Sequence, residues 1–134
     1  MLDRILCIDD DPITVMLCRK VIQKSEFAKI MDSAQNGEDA LHYFDKLIME
    51  NDDHFPELIL LDLNMPVMGG WEFLDNFSRD TYANFFSNTK VIVLSSTIDP
   101  QDVEKSKTYP MVIDFMSKPI TKEMLEKLKL VFGK

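Results

Sequence analysis

Four short apolar runs, each stopping on a chemically loaded residue, constrain this chain more than any other feature. Ile5-Leu6-Cys7-Ile8 stops on Asp9-Asp10-Asp11, and Leu58-Ile59-Leu60-Leu61 stops on Asp62. Val91-Ile92-Val93-Leu94 stops on Ser95-Ser96-Thr97, and Met111-Val112-Ile113-Asp114-Phe115-Met116 stops on Ser117-Lys118-Pro119. Runs of this length read as strands. If they lie parallel and adjacent, their carboxyl ends gather acid, acid, hydroxyl and amine into one crevice, which is where open α/β sheets place ligands. Such a crevice suits a divalent cation and a phosphoryl group.

Between the runs lie stretches of helical period. From Pro12 to Lys24 the positions Ile13, Met16, Leu17, Lys20, Val21 and Lys24 predict a crossover helix with proline in its first turn. A weaker strand is expected over residues 29–33. Asn36-Gly37-Glu38-Asp39 then opens a helix with Ala40, Leu41, Phe44, Leu47 and Ile48 on one face. Gly69-Gly70 precedes a helix over residues 71–77. Residues 79–89 are long for a connection, and Tyr82, Phe85 and Phe86 predict an extra turn that packs. Asp99-Pro100-Gln101-Asp102 carries the cap, the proline and the first-turn acid of a helix start, although the helix behind it is short, poorly amphipathic and predicted to be mobile. The last helix begins near Thr121, with Met124, Leu125, Leu128 and Val131 or Phe132 toward the sheet. Strand then helix, five times over, implies an α/β fold with parallel strands, right-handed crossovers and helices on both faces.

A chain of 134 residues can bury one real core, so a single domain over 1–134 is expected, with no separate output domain. Apolar residues at 46% and charged residues at 28% give the balance of a soluble globular protein. No apolar run approaches the roughly 18 residues that span a bilayer. Asp3-Arg4 leads straight into the first strand and leaves no room for a signal peptide, so a cytoplasmic location without membrane contact is expected. The net charge of −8 argues against nucleic acid as a partner. Cys7 and Cys18 stand at no metal or redox spacing and read as reduced core thiols.

Asp9, Asp10 and Asp62 repel one another if they share a site, and that repulsion raises a pKa or demands a cation. Mg²⁺ answers the demand because it prefers oxygen ligands and keeps several waters. Asp11, by contrast, reads as a helix cap. A carboxylate can also attack phosphorus and form an acyl phosphate. The negative charge then spread over three phosphoryl oxygens calls for a fixed cation and a hydrogen-bond donor, roles that Lys118 and Ser95 fit.

The combination of Asp9-Asp10, Asp62 followed by Asn64-Met65-Pro66 and Gly70, Ser95 after a strand, and Lys118-Pro119 resembles the receiver domain of two-component response regulators. The resemblance covers essentially the whole chain. It implies a flavodoxin-like three-layer sandwich with strand order 2-1-3-4-5. It further implies that Asp62 is the phosphoacceptor, fed by a histidine kinase or a histidine phosphotransfer protein. Asp10 would bind Mg²⁺ directly, Asp9 through water and Asn64 through its backbone carbonyl. Ser95 would hydrogen-bond the phosphoryl group, Lys118 would pair with it, and the Lys118-Pro119 bond would be cis. Signalling would then run through a downstream protein partner. Docking is expected on the first helix and the loop after Lys118, through Ile13, Met16, Pro119 and Ile120.

The resemblance also makes Ser95 and Phe115 the switch pair, the aromatic ring turning inward as the hydroxyl moves to the phosphoryl group. Phe115 has no phenolic oxygen, so apolar burial alone would hold it inward, and an inward population is expected before activation. Departures from the family's pattern are Ser96 in place of a small residue, Tyr109-Pro110-Met111 in place of a glycine, and Gly69 in place of an acid. Two rival readings remain at this level. A Mg²⁺-dependent aspartyl phosphatase of the haloacid-dehalogenase type needs an acid two residues after its nucleophile, where this chain has Asn64. A phosphorylation-independent adaptor would have no use for the full acid, hydroxyl and lysine set.

Overall fold

The structure, a computed structural model, describes residues 1–132. Among the described residues the chain runs β1 (Leu2–Ile8), α1 (Pro12–Lys24), β2 (Ala28–Ala34), α2 (Gly37–Met49), β3 (Leu58–Leu61), α3 (Gly70–Phe77), α4 (Asp80–Phe85), β4 (Lys90–Ser95), α5 (Pro100–Ser106), β5 (Val112–Ser117) and α6 (Lys122–Phe132). The strands form one parallel sheet in the order β2-β1-β3-β4-β5, the flavodoxin-like order that the resemblance implies. No described helix is long and apolar enough to cross a membrane.

Alternation along each central strand divides the core in two. Ile5, Cys7, Leu58, Leu60, Ile92 and Leu94 face α1 and α6, where Cys18, Ile22, Leu125 and Leu128 cover them. Leu6, Ile8, Ile59, Leu61 and Val91 face α2 and α3 and an aromatic cluster of Phe44, Phe73, Phe77 and Phe86. The cysteines are free and buried, as a reading of core thiols requires.

Local signals explain the helix starts. Asp11 caps α1, its carboxylate accepting from the Ile13 amide at 3.0 Å and the Thr14 hydroxyl at 2.9 Å. Asn36 caps α2 through the Asp39 amide at 2.9 Å. The expected extra turn is α4, and Tyr82 and Phe86 do pack inward from it. Phe85 does not, being 49% exposed, because a helix so short turns one face to the core and its neighbour outward. At the far end Phe132 packs on the core while Val131 points to solvent.

Candidate functional site

Strand register sets the site. Ile8 pairs with Leu61, Leu61 with Val93, and Ser95 with Ser117, so all four runs end at one edge of the sheet. Backbone bonding continues one residue past the strands. The Asp9 amide donates to the Ala34 carbonyl at 3.0 Å, the Asp62 amide to Ile8 at 2.9 Å, and the Lys118 amide to Ser95 at 2.8 Å. Asp9, Asp62 and Lys118 are thereby held by the sheet itself rather than by the loops that follow.

The side chains converge as the sequence predicts. Lys118 Nζ lies 2.6 Å from Asp9 Oδ2 and 3.4 Å from Asp62 Oδ1. Oxygens of Asp9, Asp10 and Asp62 all lie within 4.8 Å of one another. Asp9 is 5% and Asp62 8% exposed, whereas Asp10 faces solvent. The other Asp9 oxygen accepts from the Asp11 amide at 3.0 Å, which fixes the carboxylate toward the lysine. Ser95 is buried at the end of β4, its hydroxyl oxygen taking a long bond of 3.3 Å from the Thr97 amide. The Lys118-Pro119 bond is cis, as expected.

Residues 5–129 match the response regulator receiver domain family. The chain belongs to that family. It is 28% identical to a protein-glutamate methylesterase/protein-glutamine glutaminase of Treponema denticola over 98% of its own length and 35% of the relative's, so it spans about a third of that protein. A two-component response regulator from Cytophaga hutchinsonii has the same fold with a TM-score of 0.89 at 30% identity, covering 99% of this chain and 98% of the other. The CheX-CheY-BeF3-Mg complex of Borrelia burgdorferi contains a chain with a TM-score of 0.76 at 26% identity, the match covering 98% and 90% of the two chains.

Electrostatics in the receiver site follow from burial and proximity. Burial pushes the Asp62 carboxyl above its ordinary range; Lys118 and the backbone N–H of Asn64 pull it back, and Asp9 pushes it up again. For Lys118, burial works against the charge, but the bonds and negative charges of Asp9 and Asp62 outweigh it and raise the ammonium above its usual value. Three converging carboxylates, with Asp10 open to solvent, fit an oxygen-preferring divalent ion such as Mg²⁺.

The loop after Asp62 approaches α3 closely. A Cβ at Gly70 would stand 2.7 Å from the Asp62 carbonyl oxygen, so only glycine fits there. Gly69, in the place of the family's acid, caps α3 without a side-chain bond. Val67, 76% exposed, adopts φ 69°, a left-handed conformation costly for a β-branched residue.

Of the expected docking residues, Ile13 is 64% and Met16 47% exposed, and Pro119 is also exposed. Ile120 is a correction: it is buried at 4% in the core on the α1 and α6 side. It precedes Thr121, whose hydroxyl caps the Met124 amide at 3.2 Å, and so occupies the staple position whose partner is the fully buried Leu125. Leu17, 45% exposed and one helical turn after Ile13, completes the apolar face of α1 in its place. Its spacing from Ile13 was the available signal. Phe115 is half-buried and belongs to neither core cluster; it lines a groove of about 180 Å³ between α5 and β5.

Proposed function

We propose that this receiver domain is a phosphoacceptor switch of a two-component phosphorelay. A carboxylate oxygen of Asp62 attacks the phosphorus of a phosphohistidine on a histidine kinase or phosphotransfer protein. The P–N bond breaks, an acyl phosphate forms, and the imidazole leaves with a proton from water. What supports this above all is Lys118 Nζ, just past the end of β5, at 2.6 Å from Asp9 and 3.4 Å from Asp62 at the ends of β1 and β3. Asp9, Asp10, Asp62 and the Asn64 carbonyl would hold Mg²⁺, which supplies positive charge against the phosphoryl oxygens. The beryllofluoride and Mg²⁺ in the Borrelia complex support that reading.

The chain's own groups perform the remaining work. Lys118 turns from Asp9 to a phosphoryl oxygen, and the Ser95 hydroxyl, held by one long bond, is free to donate to another. The partner docks on Ile13, Met16, Leu17 and Pro119, an apolar surface beside the crevice mouth. The output passes to a downstream protein through the surface of α5, β5 and α6. Incubation with acetyl phosphate and Mg²⁺ should add one alkali-labile phosphoryl group, and Asp62→Asn should abolish it. Label that persists in that variant, or maps to Ser95, overturns the assignment. Rapid Asp62-dependent turnover of a small phosphomonoester would favour the phosphatase instead.

A further inference from the structure

The helix that follows Ser95 is held at one end only. Ser96, Thr97, Ile98, Asp99, Pro100 and Gln101 are all exposed, Ile98 at 53%. The second half of α5, at Val103, Ser106 and Lys107, faces Ile113 and Phe115 of β5 across the groove. Its C-terminal end is different. Ser106 is 3% exposed and its hydroxyl donates to the Val103 carbonyl at 2.7 Å. Just beyond, the Tyr109 ring stacks on Trp71 of α3, centroids 5.9 Å apart and planes 18° from parallel. Lys105 Nζ sits 4.7 Å from the centre of the same indole, and the Tyr109 hydroxyl donates to Asp75 Oδ1 at 2.5 Å. One contact from α5 itself, Lys105 on Trp71, and two from Tyr109 three residues past its end thus tie the C-terminal side of α5 to α3, while the other end, which leads directly from Ser95, has none of them.

We infer that Trp71, Tyr109, Lys105 and Asp75 form a pivot about which α5 swings. The inference rests on the proposed switch function and names how that switch moves. A displacement of Ser95 and Thr97 toward a phosphoryl group pulls on the free end of α5. The pinned end turns that pull into rotation, which changes the width of the groove that Phe115 lines. A helix loose at both ends would dissipate the same pull as disorder. Trp71 and Tyr109 are therefore positioning residues, remote from the reacting atoms. Tyr109-Pro110-Met111, the segment that departs from the family's glycine, supplies the stacking ring.

Trp71 is the single tryptophan, so its indole reports the pivot directly. Saturating beryllofluoride and Mg²⁺ should shift the backbone amide resonances of residues 96–102 and the ring of Phe115 while leaving the Trp71 indole resonance and fluorescence maximum unchanged. Tyr109→Leu should lose the Phe115 response while still accepting phosphoryl on Asp62 at the wild-type rate. Tyr109→Phe, which keeps the stack, should retain most of that response. A moving Trp71 beside static residues 96–102 overturns the pivot alone, as does a full Phe115 response in a folded Tyr109→Leu. Absence of any beryllofluoride response in the wild-type chain overturns the switch reading and the pivot with it.

Discussion

β3 and β5 belong to one sheet yet live in different surroundings. All four residues of β3 are buried, and the strand pairs on both sides. No residue of β5 is fully buried, its pairing with β4 shifts register between Val91 and Ile92, and its outer edge is unpaired by strand. Asp62, the proposed phosphoacceptor, stands at the end of the first, and Phe115, the proposed switch aromatic, lies within the second. Chemistry that needs carboxylates and an ammonium fixed within a few ångströms is placed where the backbone is over-determined. Readout, which needs two arrangements of similar free energy, is placed where packing is incomplete.

Substitutions can sharpen that contrast. Phe44, fully buried, touches the rings of Phe77 and Phe86 at 4.8 Å and Phe73 at 6.4 Å. Phe44→Ala should cost about 3–5 kcal/mol in urea unfolding. Ile113→Ala on the partly buried edge should cost no more than about half of that. Equal costs would erase the distinction between centre and edge.

Lys118→Met removes the cation from two buried carboxylates and should destabilise by about 2–3 kcal/mol. Added Mg²⁺ should recover part of the loss, and a loss indifferent to Mg²⁺ would mean the carboxylates do not share a cation. Val67→Asn should act in the opposite direction, stabilising by about 1 kcal/mol, because asparagine tolerates the φ of 69° that valine adopts. No gain in unfolding midpoint would show that the loop relaxes around valine without strain.

Asp62→Asn should stabilise by a smaller margin, with a defined pH dependence. Burial first, and Asp9 after it, raise the Asp62 carboxyl above 3.8, so its protonated form is favoured by folding. Its contribution is full below the unfolded pKa and lost as pH rises through the folded one. The variant's advantage should thus be present at neutral pH and fade as pH falls toward the ordinary carboxylate range. An advantage independent of pH would assign it to something other than charge.

The centre was far more legible in the sequence than the edge. Runs such as Leu58-Ile59-Leu60-Leu61 betray buried strands because apolar side chains are needed on both faces at once, and the residue after each run falls at the sheet end by geometry. Asp9, Asp62, Ser95 and Lys118 were readable for that reason. Ile120 was not, because whether a residue beside a proline faces the core depends on the helix it staples. Phe85 and Phe86 are neighbours of identical type, and only the direction of a single short helix separates them. The Trp71 and Tyr109 stack joins residues far apart in the chain, and no periodicity announces it.

Hydrogen exchange with and without beryllofluoride and Mg²⁺ tests most directly whether a fixed centre drives a loose edge. Protection of β1 and β3 should stay high in both states, while α5, β5 and the loop between Ser95 and Pro100 change on activation. A response confined to the loops around Asp62, with α5 and β5 unaltered, would contradict the account.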